Sequence, residues 1–143
     1  MAQPITRVVL AEDNEIIRRG IRILLERSPE IQVIGEARNG IEAVELSSEL
    51  QPDILLLDVE LPYMNGIEVA RQLSLKDRKP LILVLSAYDD WEYIRNMLAN
   101  GASGYLVKDE APERIIEAVQ GIARGDTGWV SPRIAKKLGL SSE

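Results

Sequence analysis

Two uninterrupted apolar runs constrain this chain more than any other feature: Ile54-Leu55-Leu56-Leu57, between Asp53 and Asp58, and Leu81-Ile82-Leu83-Val84-Leu85. A strand with one wet face alternates apolar and polar residues. A strand apolar at every position must be covered on both faces, as happens in parallel sheets layered between helices. The rest of the chain supplies those helices. Val8 to Ala11 reads as a first strand, followed by Ile17, Ile21, Leu24 and Leu25 at helical spacing, with Asn14 placed to cap the helix and Pro29 beyond its end. Ile31, Val33, Gly35 and Ala37 predict a second, less buried strand, and Asn39-Gly40 opens a helix to about Leu50. Leu61 to Gly66 is a loop by its Pro and Asn-Gly content, and Ile67, Val69, Ala70 and Leu73 carry the next helix. A helix from Asp89 to Asn100 ends at Gly101, a fifth strand spans Gly104 to Val107, and a last long helix begins near Pro112. Alternation of this kind with short connections requires a parallel sheet with helices on both faces.

After Arg124 the pattern lapses. Gly125-Asp126-Thr127-Gly128 is turn-like, and Ser131-Pro132 starts a short helix expected to run to Leu138. The chain therefore divides into a domain over residues 1–124 and a linker with a short C-terminal helix over 125–143.

Composition limits the chemistry. The 143 residues contain no cysteine and no histidine, which excludes disulfides, thiolate and imidazole catalysis, and zinc sites built on those ligands. Seventeen basic against 23 acidic side chains give a net charge of −6, a sign that repels phosphate backbones and anionic lipid. No segment approaches the ~20 apolar residues of a membrane helix, and the N-terminus lacks a signal-peptide pattern, so a cytoplasmic location is expected. What remains is carboxylate, hydroxyl, lysine and a hard cation.

In open parallel sheets, ligands sit beyond the carboxyl ends of the strands. There the sequence places Glu12-Asp13 after the first strand, Asp58 at the end of the third, Ser86 at the end of the fourth and Lys108 after the fifth. Neighbouring first and third strands would crowd three carboxylates, and two charges 4 Å apart repel by about 4 kcal/mol at an effective dielectric of ~20. Such a cluster needs a cation, a shared proton or a nearby ammonium, and an oxygen-only ligand set favours Mg²⁺ or Mn²⁺ over zinc. A carboxylate can attack phosphorus to give an acyl phosphate, with Mg²⁺ on Asp13 and Asp58, the Lys108 ammonium and the Ser86 hydroxyl supporting the transferred oxygens. Taken singly, each residue has an ordinary role as cap or solvated charge; their joint placement at four strand ends carries the functional reading.

Over roughly residues 5–124 the chain resembles the receiver domain of bacterial two-component response regulators. Glu12-Asp13 matches the family's acidic pair, the stretch Leu55 to Gly66 its phosphoacceptor motif, Ser86-Ala87 its hydroxyl position with a small neighbour, Tyr105 its switch aromatic and Lys108 its lysine. The resemblance implies a flavodoxin-like sheet of five strands in order 2-1-3-4-5. It also implies that Asp58 accepts phosphate from the phosphohistidine of a sensor histidine kinase. Mg²⁺ would be bound by Asp13, Asp58 and the Glu60 backbone carbonyl, with Glu12 acting through water. Ser86 and Tyr105 would couple phosphorylation to the face formed by the fourth helix, fifth strand and fifth helix. Glu60 and Tyr88 occupy positions at which the family varies phosphate lifetime. The family often has a cis-proline after the lysine, whereas Asp109 stands here, and a non-proline cis bond costs about 2.5–4 kcal/mol.

The stretch Gly101 to Asp109 and the tail around Trp129-Val130-Ser131-Pro132 resemble the NarL/FixJ subgroup, whose members carry a LuxR-type helix-turn-helix output domain. A transcription regulator whose output domain follows this segment is therefore expected, with homodimerisation on phosphorylation and no direct DNA binding by these residues. The alternative is a stand-alone or phosphorylation-independent receiver acting by protein contact. In either case the chain is a switch rather than a turnover enzyme: an aspartyl-nucleophile phosphohydrolase would carry Asp-x-Asp after the first strand, where Ala11-Glu12-Asp13 stands.

Overall fold

The computed structural model of the protein describes residues 4–87, 91–137 and 139. Among the described residues there are six strands: β1 (Thr6–Ala11), β2 (Ile31–Ala37), β3 (Ile54–Asp58), β4 (Leu81–Ser86), β5 (Gly104–Val107) and β6 (Trp129–Val130). They form one sheet in the order β2-β1-β3-β4-β5-β6, parallel at every pairing. The helices are α1 (Glu15–Leu25), α2 (Gly40–Leu50), α3 (Gly66–Leu73), α4 (Trp91–Ala99), α5 (Ala111–Ala123) and α6 (Pro132–Lys137), with a single 3-10 turn over Lys108–Glu110. Tyr88, Asp89, Asp90 and Leu138 lie outside the described residues.

The alternation of side chains along each strand divides the core into two layers. Val8, Leu10, Ile54, Leu56, Leu83 and Leu85 pack with Ile21 and Leu25 of α1 and with Ile115, Val119 and Ile122 of α5. Val9, Ala11, Leu55, Leu57 and Val84 pack on the opposite side with residues of α2, α3 and α4. Every residue of β3 is buried, which is why its sequence shows no polar alternation. Three helices start on an asparagine whose side chain accepts a backbone N–H: Asn14 from Ile17, Asn39 from Glu42 and Asn65 from Glu68. Gly101 has φ +102°, the left-handed conformation expected just after α4.

The expected five-stranded sheet is corrected to six. Trp129-Val130 pairs with Gly104-Tyr105 of β5, and the Trp129 N–H donates to the Ser103 carbonyl at 2.8 Å. Close approach is possible because position 104 is glycine: a Cβ there would lie 2.9 Å from the Trp129 carbonyl oxygen and 3.1 Å from its Cβ. Ile134 of α6 is fully buried against the α2/α3/α4 layer. Ser131 is also buried; its hydroxyl donates to Glu110 Oε1 at 2.9 Å and accepts the Ile134 N–H at 3.2 Å. A two-residue strand is too short to show periodicity, and this one lies between the turn-like Gly125 to Gly128 and the helix start at Ser131-Pro132. Tertiary pairing, not local propensity, makes it a strand.

Candidate functional site

The site grows from four strand ends. β1 ends at Ala11, and the Glu12 N–H still donates to the Ala37 carbonyl at 3.0 Å, extending the β1–β2 ladder by one bond. Beyond it the chain turns into α1. Glu12 Oε2 accepts the Asn14 N–H at 3.0 Å, so the acidic residue also braces the turn that starts the helix. Asp58 closes β3 and is 4% exposed; its Oδ1 accepts the Glu60 N–H at 3.0 Å. Lys108 follows β5, whose Val107 pairs in register with Ser86 at the end of β4.

Lys108 joins the two buried acids. Its Nζ lies 2.8 Å from Glu12 Oε1 and donates to Asp58 Oδ2 at 3.0 Å. Glu12 is 1% exposed, which makes it a carboxylate out of water with one ammonium as its main compensation. Burial therefore raises its pKa above the ordinary carboxylate range, with the Asp58 charge adding to the rise, and the hydrogen bonds from Lys108 and the Asn14 N–H offset this only in part. For Lys108, burial is the largest single influence and pulls the pKa down, but hydrogen bonding and attraction from Glu12 and Asp58 together outweigh it, leaving the amine above its ordinary value.

Oxygens of Glu12, Asp13 and Asp58 come within 4.8 Å of one another, with Asp13 at the exposed edge of the group. This cluster could hold a metal ion. The donors are all hard oxygens, two of the three are buried, and the exposed one leaves a side for water and ligand oxygens, a set that fits Mg²⁺. Beside it, a cleft of about 470 Å³ is lined by Asp13, Glu60, Pro62, Asn65 and Tyr93 among others. The larger cavity of about 790 Å³, lined by Thr6, Asp53, Leu81 and Arg124, sits at the opposite ends of the strands, away from the carboxylates.

The loop after β3 is held as firmly as the strand ends. The Gly66 N–H donates to the Val59 carbonyl at 2.9 Å, and Gly40 donates to the Pro62 carbonyl at 3.3 Å. A Cβ at Gly40 would fall 1.9 Å from the Met64 carbonyl oxygen, so the N-terminus of α2 abuts the loop backbone directly.

The structure thus brings Glu12, Asp13, Asp58 and Lys108 together, with Glu60 tied to Asp58 through its N–H. Ser86 is buried at the neighbouring strand end. Tyr105 is fully buried in the α2/α3/α4 layer, in register with Val84 and therefore two residues short of Ser86. Tyr88 lies outside the described residues. There is no cis peptide bond among the described residues, Lys108–Asp109 included.

Sequence reading missed two positions near the site. Arg18 has an 11% exposed side chain whose Nη1 donates to the Glu12 carbonyl at 2.9 Å. Gly40 supports the loop after β3. The only signal for Arg18 is its place on α1 beside Ile17 and Ile21, since its partners come from other segments.

A family model described as the response regulator receiver domain matches residues 8–120. The transcriptional regulatory protein DegU of Brevibacillus brevis is 35% identical over 132 residues, which cover 92% of this chain and 56% of that protein. The nitrate/nitrite response regulator protein NarL of Escherichia coli (strain K12) is 38% identical over 119 residues, covering 83% of this chain and 55% of that protein. The chain therefore spans a little over half the length of these relatives. A crystal structure of a LuxR-family two-component response regulator from Aurantimonas sp. SI85-9A1 superposes with a TM-score of 0.89 at 33% identity, covering 94% of this chain and 96% of that one.

Proposed function

Because this chain belongs to the response regulator receiver domain family, we propose that it is a phosphorylation-controlled switch in which Asp58 is the phosphoacceptor. The supporting observation is the Lys108 bridge, which draws Glu12 and Asp58 from separate strand ends into one buried cluster beside Asp13. The phosphoryl donor is the phosphohistidine of a sensor histidine kinase. An Asp58 carboxylate oxygen forms a bond to phosphorus as the phosphorus–nitrogen bond breaks, and the electron pair of that bond returns to the imidazole. Asp13, Asp58 and the Glu60 backbone carbonyl would hold Mg²⁺, with Glu12 assisting through water. When bound there, such an ion would supply charge neutralisation for the phosphoryl oxygens.

The protein's own groups do the rest. The Glu60 N–H and Lys108 fix the Asp58 carboxylate from both oxygens, so its orientation is set before the donor arrives. Lys108 offers its ammonium to a phosphoryl oxygen, and the Ser86 hydroxyl offers a hydrogen bond to another. That contact exists only in the phosphorylated state, which gives the differential interaction a switch requires. Withdrawal of Ser86 toward the phosphoryl group makes room for Tyr105 to change rotamer and remodel the face of α4, β5 and α5. Residues 1–124 act as the receiver and 125–143 as a linker whose β6 and Ile134 are docked on the receiver's sheet and core, phosphorylation favours a homodimer, and the output is a DNA-binding transcription domain following this segment, in the cytoplasm. The residues in hand do not themselves bind DNA, and the chemistry is limited to gain and loss of one phosphoryl group.

The test is incubation with a small-molecule phosphodonor such as acetyl phosphate. Wild-type protein is expected to gain one phosphoryl group in the presence of Mg²⁺ and none after chelation, and Asp58→Asn to gain none. Equal labelling of Asp58→Asn would overturn the assignment.

A further inference from the structure

We propose that Arg18 is a positioning residue for the metal-binding acid pair, aiming Asp13 by pinning the peptide that precedes it. The inference rests on the metal-dependent reading above. Arg18 lies on α1, one turn past the Asn14 cap, and is largely buried although it carries a charge. Its guanidinium uses two directions of its planar fork: Nη1 donates to the Glu12 carbonyl at 2.9 Å and Nε to Glu36 Oε1 at 2.9 Å.

The position of that carbonyl gives the contact its consequence. Ala11–Ala37 is the last registered pair of β1 and β2, so sheet pairing ends just before Glu12. The Glu12 N–H is still held by Ala37, but the next peptide unit, from the Glu12 carbonyl to the Asp13 nitrogen, is past the ladder. Arg18 supplies the bond that the sheet no longer provides and fixes the rotation of that unit about the Glu12 and Asp13 dihedrals. The carboxylate of Asp13 is exposed and follows wherever this plane points. Mg²⁺ demands near-ideal octahedral geometry, and functional constellations tolerate displacements of only about 0.5 Å, so a loose plane at this joint translates directly into weaker metal binding.

Charge alone does not explain the residue. An unpaired cation beside a divalent-ion site would repel the ion, but Arg18 is ion-paired with Glu36, which also receives Arg22. What reaches the site is a hydrogen bond with fixed direction.

The experiment is titration of the full chain with Mn²⁺, a paramagnetic substitute for Mg²⁺, followed by water proton relaxation, with circular dichroism confirming that each variant is folded. Outer ligands of metal sites typically contribute about 10–100-fold to affinity, and Arg18→Met is expected to weaken Mn²⁺ binding by about 10-fold. Arg18→Lys keeps the charge but loses the fork and is expected to weaken it by at least about 5-fold. Arg22→Met removes the other arginine on Glu36 without touching Glu12 and is expected to stay within about 2-fold of wild type. At saturating Mg²⁺, the phosphorylation rate of Arg18→Met is expected to return to within about 3-fold of wild type, since the loss is in binding. Wild-type affinity in Arg18→Lys, or an equal loss in Arg22→Met, overturns the positioning role. Asp13→Ala separates the two levels: if it weakens binding and Arg18→Met does not, this inference alone fails, whereas if it too is without effect, the metal-site reading fails with it.

Discussion

Replacing Lys108 by Met tests how the acidic cluster is held together in the absence of a bound ion. The Lys108 ammonium lies 2.8 Å from Glu12 Oε1 and 3.0 Å from Asp58 Oδ2, and the two acids are 1% and 4% exposed. Without it, two buried carboxylates face each other with oxygens within 4.8 Å, a repulsion of about 3.5 kcal/mol at an effective dielectric of ~20. Removing one partner of a buried ion pair costs about 3–5 kcal/mol by the same physics. Two effects reduce the figure. The Lys108 side chain is 25% exposed, so water screens part of the interaction, and Glu12, whose pKa is already raised, relieves the repulsion by taking up a proton. The expected loss is about 2–4 kcal/mol at neutral pH with a chelator present, seen as a fall of about 1–2 M in the urea midpoint. Adding Glu12→Gln to Lys108→Met removes one of the repelling charges and is expected to recover more than half of that loss. Millimolar Mg²⁺ is expected to narrow the gap from wild type as well. A Lys108→Met variant within about 0.5 kcal/mol of wild type under chelation, or one that Glu12→Gln fails to rescue, would refute the electrostatic reasoning.

Three other perturbations separate parts of the account. Because the folded-state pKa of Glu12 is raised, the native state binds more protons than the unfolded chain between the ordinary carboxylate pKa of 4.5 and that raised pKa, so metal-free stability falls as pH rises through that window; Glu12→Gln is expected to flatten this part of the profile in urea titrations, and an unchanged slope would contradict it. Gly40→Ala places a Cβ 1.9 Å from the Met64 carbonyl oxygen, so the loop bearing Glu60 must shift; a loss of about 1–3 kcal/mol in urea unfolding together with weaker Mn²⁺ binding is expected, and an unperturbed variant would show that α2 does not brace the loop. Ile134→Ala removes the buried anchor of α6 and is expected to lose hydrogen-exchange protection at Trp129 and Val130 while β1 and β3 keep theirs; retained protection at β6 would place its anchorage elsewhere.

Much of the architecture was legible because burial on both faces leaves a signature in sequence. The run Ile54 to Leu57 announced a central strand, and β3 is indeed buried along its whole length. Asn14 could be read as a cap because its side chain acts within its own segment. The acids and the lysine were legible as a group because strand ends in a parallel sheet point to one edge, so position in the chain predicted position in space. What escaped was set by contacts between distant segments. β6 has two residues and exists because Gly104 lets Trp129 approach β5. The 3-10 turn after β5 has no periodic signal of its own. Arg18 reads as one more polar residue of an amphipathic helix until its partners, the Glu12 carbonyl and Glu36, are seen beside it.

Reductive trapping of the acyl phosphate, followed by peptide mapping, addresses the central claim most directly. After reaction with a phosphodonor in Mg²⁺, the trapped modification is expected at Asp58 alone, abolished by Asp58→Asn and greatly slowed by Asp13→Ala or Lys108→Met. Modification at another carboxylate, or none at all under conditions in which a matched receiver domain is labelled, would contradict the account.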